Sequence, residues 1–258
     1  NPLVHLPKPD FQPASVMPES LPPAARELLG MPGERIASPE AWSVDQARHF
    51  WTLFGNYAAA GEREGLVRRP YPRFIGAPAT ALAASGHRVH VPARAKTLSF
   101  ACELACVVGR IVSRASSEEA RQAILGFAPL AVIRDSSFKD AIREPASLQE
   151  RHLPSVYARW ADGFNIVGGL TRLDAGGWRD RRCLITVDGL GAVEANTADY
   201  LLAAADVLAY ISRYITLFPG DVLTLGPLGL ELVAPDGHPL PPGTTGYAAI
   251  DGHGSAAF

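Results

Sequence analysis

One acidic residue stands alone in a long apolar stretch that is rich in β-forming residues. The stretch runs from Lys96 to Val112, and Glu103 is its only carboxylate. Burying an unpaired carboxylate is costly, so Glu103 needs a cationic or hydrogen-bonding partner. A buried ion pair with Arg134 or with Arg159 is the simplest way to provide this partner. Glu103 is therefore the first position at which the sequence suggests either a site or a structural ion pair.

Alternation along this stretch divides its side chains between two faces, because residues i and i+2 of a strand point the same way. One face carries a set of larger apolar side chains: Leu98, Phe100, Cys102 and Leu104. The other face carries Glu103 between Ala101 and Ala105. Glu103 is thus flanked on its own face by methyl groups rather than by a second carboxylate.

Other common catalytic patterns do not occur in the chain. The seven histidines show no metal-ligand spacing, and His87 and His90 would point to opposite faces of a strand. We find no glycine-rich nucleotide loop and no serine nucleophile elbow. The odd and sparse cysteines, Cys102, Cys106 and Cys183, predict free thiols rather than a disulfide framework.

Composition is that of an ordinary globular protein. The chain has 258 residues, of which 47% are hydrophobic and 19% charged, with a formal net charge of -2. The absence of a basic run gives no reason to expect a nucleic-acid partner. No apolar run approaches the roughly 18 residues of a membrane span, and no secretory signal is visible, so we expect a cytoplasmic protein.

Two parts of the chain differ in composition. Residues 1–50 are rich in proline and predict an extended arm with short helices, whereas residues 51–258 predict the main domain. At the junction, the pattern from Ser43 to Phe54 predicts a helix capped by Ser43.

Local signals in the main domain predict further elements. Ser116 with Glu119 fits a capping box that opens a helix, and the segment from Asn196 to Ile215 predicts the clearest helix. Strands are expected at Cys183–Val187 and, after a tight turn, at Val222–Leu225. The sum predicts a sheet-rich α+β domain with a few flanking helices.

Four segments in the same order resemble the fumarylacetoacetate hydrolase family. They span about 170 residues, and together they are far more specific than any one of them. The segments are Phe54-Gly55-Asn56-Tyr57 with Tyr71–Pro78; Leu98–Gly109; Ala161–Asn165; and Val187-Asp188-Gly189 through Thr216-Leu217-Phe218-Pro219-Gly220-Asp221. The resemblance is to the decarboxylase and isomerase-like branch, and it implies a mixed β-roll or sandwich fold.

The resemblance also implies a divalent-metal site. Family members hold Mg²⁺ or Mn²⁺ with three carboxylates, two from a Glu-x-Glu strand and one from a downstream Asp, and hard cations prefer such oxygen ligands. In this chain Glu103 matches one strand position, Ala101 replaces the other, and Asp135 matches the downstream Asp. Glu103 and Asp135 are thus the expected metal ligands, with affinity lowered by the missing third.

The family's acid–base residues are also changed. The position of its water-activating His is Ala60, and Glu62 is the nearest candidate for a replacement base. Arg159 takes the place of the family's Lys, and a guanidinium can bind a carboxylate but does not readily shuttle a proton. Asp162 is retained in the Asp-Gly-Phe loop, where a turn-capping role is the alternative.

Substrate binding is assigned by the same resemblance. Arg159, Asn56 and Tyr57 are expected to face the substrate, and Thr224 and Gly226 stand where the family binds a substrate carboxylate. A glycine there can present backbone N–H groups to an anion.

The resemblance implies an enzyme that acts on a small carboxylate, a 2-oxo or 1,3-diketo acid, through an enolate. C–C hydrolysis, decarboxylation and enol–keto isomerisation share that intermediate, and losing the His favours the last two over hydrolysis. Two alternatives stay open: an inactive family member that serves as a binding or scaffolding subunit, and an enzyme whose pocket uses arginines without a metal. The family also implies a homodimer or a higher even oligomer.

Overall fold

The computed structural model describes residues 35–57, 71–93, 95, 97–137, 157–172, 177–229, 231–235 and 240–258. The expectations for residues 1–34, Ala60 and Glu62 lie outside these ranges. Within them, no helix has the length and hydropathy needed to cross a membrane.

Strands dominate the described residues. They are β1 (Phe50–Phe54), β2 (Arg73–Ala77), β3 (Leu82–Ala84), β4 (Leu98–Val108), β5 (Ile124–Asp135), β6 (Asn165–Val167), β7 (Arg182–Val187), β8 (Gly191–Asn196), β9 (Val222–Pro227), β10 (Leu232–Val233), β11 (Gly246–Ile250) and β12 (Gly254–Ala257). The α-helices of this part of the chain are α1 (Ser117–Ala123) and α2 (Ala204–Ile211), with 3₁₀ turns at Pro39–Ala41, Val44–Gln46, Ala79–Ala81 and Thr197–Asp199.

These strands form two sheets. The larger is mixed, in the order β2-β1-β9-β4-β5-β6-β3, with β10 paired to β4 off this path. Its β1–β9 and β3–β6 pairs are parallel and the others are antiparallel. The smaller sheet is antiparallel, in the order β12-β11-β7-β8. This sheet-rich architecture with few helices confirms the predicted α+β class.

Strand β4 lies at the centre of the larger sheet, and both of its faces are buried. Its even-numbered residues, such as Phe100 and Leu104, belong to the larger hydrophobic core, which also includes buried residues of β7, β11 and α2. Its odd-numbered residues Ala101, Ala105 and Val107 belong to a smaller core. The division of faces predicted from alternation is therefore confirmed.

The capping-box helix is confirmed, because its signal is local. The Ser116 hydroxyl accepts a hydrogen bond from the Glu119 N–H at 3.3 Å, and a Glu119 carboxylate oxygen accepts one from the Ser116 N–H at 2.8 Å. These two bonds satisfy donors that the first turn of α1 would otherwise leave open.

One predicted helix is wrong, and another begins later than predicted. Ser43 opens only the 3₁₀ turn at Val44–Gln46, and the aromatic-rich segment Phe50–Phe54 then pairs with β2 and β9 as strand β1. Within the predicted segment Asn196–Ile215, Asn196 ends strand β8 and caps the 3₁₀ turn Thr197–Asp199, and helix α2 covers only Ala204–Ile211. For Phe50–Phe54, pairing with the distant strand β9 overrides the local helix signal.

Candidate active site

Glu103 lies fully buried on β4 and is held by two arginines. One guanidinium nitrogen of Arg159, Nη1, donates to both carboxylate oxygens of Glu103, at 2.9 and 3.1 Å. Arg134, on the neighbouring strand β5, donates from Nη2 to Oε1 of Glu103 at 2.9 Å. Both partners suggested by the sequence are therefore used at once.

The second guanidinium, that of Arg134, is shared with another carboxylate. Arg134 forms an ion pair with Glu231, which precedes β10. The cluster thus contains two carboxylates and two guanidiniums, so its formal charges cancel. Cancellation of this kind is what allows charged groups to be buried at all.

Arg159 is fixed from behind by a buried amide. Its Nε donates to Oδ1 of Asn165 at 2.8 Å, while the amide nitrogen of Asn165 donates to the carbonyl oxygens of Ala81 and Arg159, at 3.0 and 2.9 Å. Its guanidinium carbon also lies 5.6 Å from the ring centre of Phe50, a cation–π distance. These contacts set the direction of the guanidinium plane.

Burial lowers the pKa of Arg159 to about 10, and the adjacent Glu103 carboxylate partly offsets this shift. Arg159 therefore remains a cation at neutral pH even though its side chain is only 4% exposed. A cation held in such a dry environment interacts with an added anion more strongly than it would in water.

Two polar atoms in this region lack a hydrogen-bond partner among the described residues. They are Nη2 of Arg159 and Oγ1 of Thr224, and both atoms are buried. Thr224 lies on β9, in register with Ala105 of β4 and Thr52 of β1, so it shares the face of Glu103. Buried polar groups are nearly always paired, so two unpaired donors on one face mark a place where a ligand or water belongs.

Asp135 does not join this group. The β4–β5 register pairs Asp135 with Leu98 and Glu103 with Leu130. Asp135 is therefore five positions further along the sheet, about 17 Å, and its side chain points to the opposite face. Its carboxylate accepts a hydrogen bond from the Ser137 N–H at 3.0 Å. The expectation that Glu103 and Asp135 would hold one ion does not agree with this geometry.

The donor set around Glu103 does not fit Mg²⁺ or Mn²⁺. The residues of β5 that share its face near it are Leu130, Val132 and Arg134, and none is a carboxylate. Within the described ranges, no three His, Cys, Asp or Glu residues come together as a metal site. Both oxygens of Glu103 already bind guanidinium groups, which repel a divalent cation.

The other predicted site residues lie at several different positions in the fold or outside the described residues. Asn56 uses its side chain to accept from the Leu202 N–H at 2.8 Å and to donate to the Leu225 carbonyl at 3.2 Å, so it ties β1 to β9 and to the loop before α2. Tyr57 is buried and forms an isolated β-bridge with Tyr200. Asp162 is exposed, three residues after Arg159, and Glu62 lies outside the described residues.

Gly226 has a role that only glycine can fill. Its φ is +88°, and a Cβ atom there would lie 2.8 Å from the Leu53 carbonyl oxygen. Its own carbonyl accepts a hydrogen bond from the Tyr200 hydroxyl at 2.8 Å. Gly226 thus lies at the irregularity between β9 and β4, next to the position that pairs with Glu103.

Sequence reasoning missed Asn165, Glu231, Phe50 and Thr52 as parts of this region. Asn165 had a visible signal, because it directly follows the Asp-Gly-Phe segment, but its use as the support of Arg159 depends on the fold. Glu231 and Phe50 are far from Glu103 in sequence, and only the sheet order brings them close.

Comparison with known proteins agrees with the geometry of the fold. A family model described as "Fumarylacetoacetate (FAA) hydrolase C-terminal" matches residues 49–256. A bifunctional isomerase/decarboxylase of 4-hydroxyphenylacetate degradation from Salmonella dublin is 33% identical over 144 residues, which cover 55% of this chain and 30% of that protein. The chain therefore matches about a third of the length of this relative.

Two further matches extend over most of both chains. An oxaloacetate tautomerase from Escherichia coli K12 is 25% identical over 201 residues, covering 77% of this chain and 86% of that protein. The crystal structure of a fumarylpyruvate hydrolase from Pseudomonas aeruginosa, in complex with Mn²⁺ and pyruvate, superposes with a TM-score of 0.65. That structure is 22% identical and covers 82% of this chain and 88% of its own, which shows a common fold.

Proposed function

The chain belongs to the fumarylacetoacetate hydrolase family, and on this premise we propose that it is an enzyme acting on a 2-oxo or 1,3-diketo acid. The observation that carries the proposal is the buried Arg159 guanidinium beside Glu103, with an unpaired nitrogen on the same side of the sheet as the unpaired Thr224 hydroxyl. A buried cation of this kind stabilises negative charge as it develops on an enolate oxygen.

Enol–keto isomerisation or decarboxylation suits the chain better than C–C hydrolysis. Hydrolysis needs a base that activates water, and the family's His position is Ala60 in this sequence. Tautomerisation only moves a proton between the enol oxygen and the adjacent carbon, so it needs neither a water nucleophile nor a redox partner. The similarity to an isomerase/decarboxylase and to an oxaloacetate tautomerase supports this preference.

Two residues remain candidates for the proton transfer. They are Glu62, which follows the position of the family's His in the sequence, and Asp162, which is exposed at the turn after Arg159. We assign to them the acid–base role, and to Arg159 the binding of the substrate carboxylate or enolate. We also propose that the protein is cytoplasmic and that it assembles as a homodimer. Light scattering after size-exclusion chromatography would measure the oligomeric state.

The test is turnover of a small panel by the purified full chain. Tautomerisation and decarboxylation of oxaloacetate and hydrolysis of a 1,3-diketo acid would be followed for wild type, Arg159→Lys and the control Thr186→Val on β7. We expect tautomerisation or decarboxylation, with kcat lowered by a factor on the order of 100 in Arg159→Lys, as when one oxyanion donor is removed. Absence of turnover across the panel would favour a binding subunit instead.

A further inference from the structure

The two buried donors on the Glu103 face point to a ligand of definite chemistry. Nη2 of Arg159 can donate two hydrogen bonds and is cationic, and the Thr224 hydroxyl can donate one. Neither atom has a partner among the described residues, although the two residues are only 3% and 0% exposed. A planar carboxylate is the group that satisfies such a guanidinium edge best.

The residues that lie next to these two donors are close together on strand β1. Arg159 lies over the ring of Phe50, and Thr224 is in register with Thr52, two residues further along β1 on the same face. Two strand residues span about 7 Å. A small 2-oxo acid has about this length, so it is the class of ligand that we place between the two donors, with Ala105 as the apolar neighbour of Thr224 on β4.

The usual place of a divalent cation beside Glu103 is already taken by positive charge. The two guanidiniums of Arg159 and Arg134 contact its carboxylate at 2.9 Å, and the neighbouring positions on the same face are Ala101 and Val132. Among the described residues, a Mn²⁺ ion at Glu103 would have two guanidiniums as its neighbours, and the other carboxylate of the cluster, Glu231, is already paired with Arg134. The guanidinium of Arg159 instead offers a fixed positive charge that needs no further ligands.

We infer that this site binds the carboxylate end of a 2-oxo acid without a divalent metal, with Arg159 and Thr224 as the donors. The inference rests on the proposed function for the class of substrate, but the mode of binding is argued from the donors alone. It also assigns a binding role to Thr224 through its hydroxyl group, since the backbone of its strand is engaged in the sheet.

The experiment is calorimetric titration of the full-length protein with oxalate, a planar analogue of a 2-oxo acid enolate. Each titration is run in EDTA and again in excess Mn²⁺. The proteins are wild type, Arg159→Lys, Thr224→Val and the matched control Thr186→Val. Because the Thr224 hydroxyl has no partner, its replacement by an isosteric apolar group should leave the melting temperature unchanged or raise it. Thr224→Val therefore stays informative even where Arg159→Lys folds poorly.

We expect oxalate to bind wild type and Thr186→Val equally well in EDTA and in Mn²⁺. Affinity should fall about tenfold in Thr224→Val and about 10- to 100-fold in Arg159→Lys, the range for neutral and charge-assisted hydrogen bonds. Binding that requires Mn²⁺, absence of binding in both buffers, or unchanged affinity in both site variants would each overturn the inference.

Turnover measured on the same samples separates this inference from the proposed function. Metal-free oxalate binding without turnover of any substrate would contradict the enzyme proposal and leave the anion site standing. Turnover together with oxalate binding that requires Mn²⁺ would support the enzyme proposal and contradict the metal-free anion site.

Discussion

The two faces of strand β4 share one backbone but are stabilised by different interactions. The even-numbered face packs Phe100, Leu104 and Cys106 into the larger core and carries no charged side chain. The odd-numbered face carries Glu103, which is equally buried but is held by ion pairs with Arg134 and Arg159. Burial alone therefore does not distinguish the two faces. Unpaired donors do, and the Glu103 face has them.

The largest loss of stability is expected when the ion pairs of Glu103 are removed. Glu103→Ala leaves the buried Arg159 guanidinium without its carboxylate, and losing one partner of a buried pair costs about 3–5 kcal/mol of unfolding free energy. Chemical denaturation would measure it. The matched control is Glu194→Ala, which removes the carboxylate of the exposed ion pair with Arg182. The control should change stability little, and equal losses in the two variants would contradict the comparison.

A loss of similar or somewhat smaller size is expected on the apolar face. Leu104 is fully buried in the larger core, and Leu104→Ala should cost about 2–5 kcal/mol through lost contacts and a residual cavity. The remaining folded protein should bind oxalate as wild type does, because Leu104 points away from Glu103. An oxalate affinity that falls together with stability would show that the two faces are not independent.

These two faces also show what the sequence can and cannot predict. The alternation of Leu98–Leu104 against Ala101–Ala105 and the capping box at Ser116 are local patterns, and both are confirmed. The pairing of Glu103 with arginines follows from the cost of burying a charge, so the partners were predictable as residue types. The position of Asp135 was not predictable from the sequence, because the strand register determines which face of β5 it occupies.

Long-range pairing explains the other errors. Phe50–Phe54 carries a helix-like pattern behind Ser43, but its parallel partner β9 begins at Val222, about 170 residues away, and no local signal reports that contact. The same holds for Glu231, which reaches Arg134 only because β10 returns to pair with β4.

A smaller loss of stability is expected when the Tyr200 hydroxyl, which bonds to the backbones of β4 and β9, is removed. The Tyr200 hydroxyl accepts from the Leu104 N–H at 3.1 Å and donates to the Gly226 carbonyl at 2.8 Å, beside the irregularity opposite Glu103. Tyr200→Phe should cost about 1–2 kcal/mol of unfolding free energy by leaving these groups unpaired. Denaturation at neutral pH would measure it.

The same variant should show a pH dependence of known sign. Burial raises the pKa of the Tyr200 phenol well above its usual value, so the folded state keeps a proton that the unfolded chain releases above about pH 10. The stability contributed by this proton is fully present below that pH and is lost as the pH rises beyond it. The advantage of wild type over Tyr200→Phe should therefore narrow in alkaline solution. A constant or growing difference would contradict the assignment of the phenol as a buried donor.

The smallest effect is expected at Asp135. Its carboxylate lies on the opposite face from Glu103 and accepts a hydrogen bond from the Ser137 N–H. Asp135→Asn should cost less than about 1.5 kcal/mol of stability and leave both oxalate binding and kcat/KM unchanged. A large loss of turnover with stability retained would return Asp135 to the active site.

The most direct test of the metal-free site is a crystal structure of the protein grown with oxalate in the presence of EDTA. We predict an oxalate carboxylate about 2.7–3.0 Å from Nη2 of Arg159 and from Oγ1 of Thr224, with Glu103 still bound to both arginines. Oxalate that appears only when Mn²⁺ is supplied, coordinated to a metal ion on the Glu103 carboxylate, would contradict this prediction.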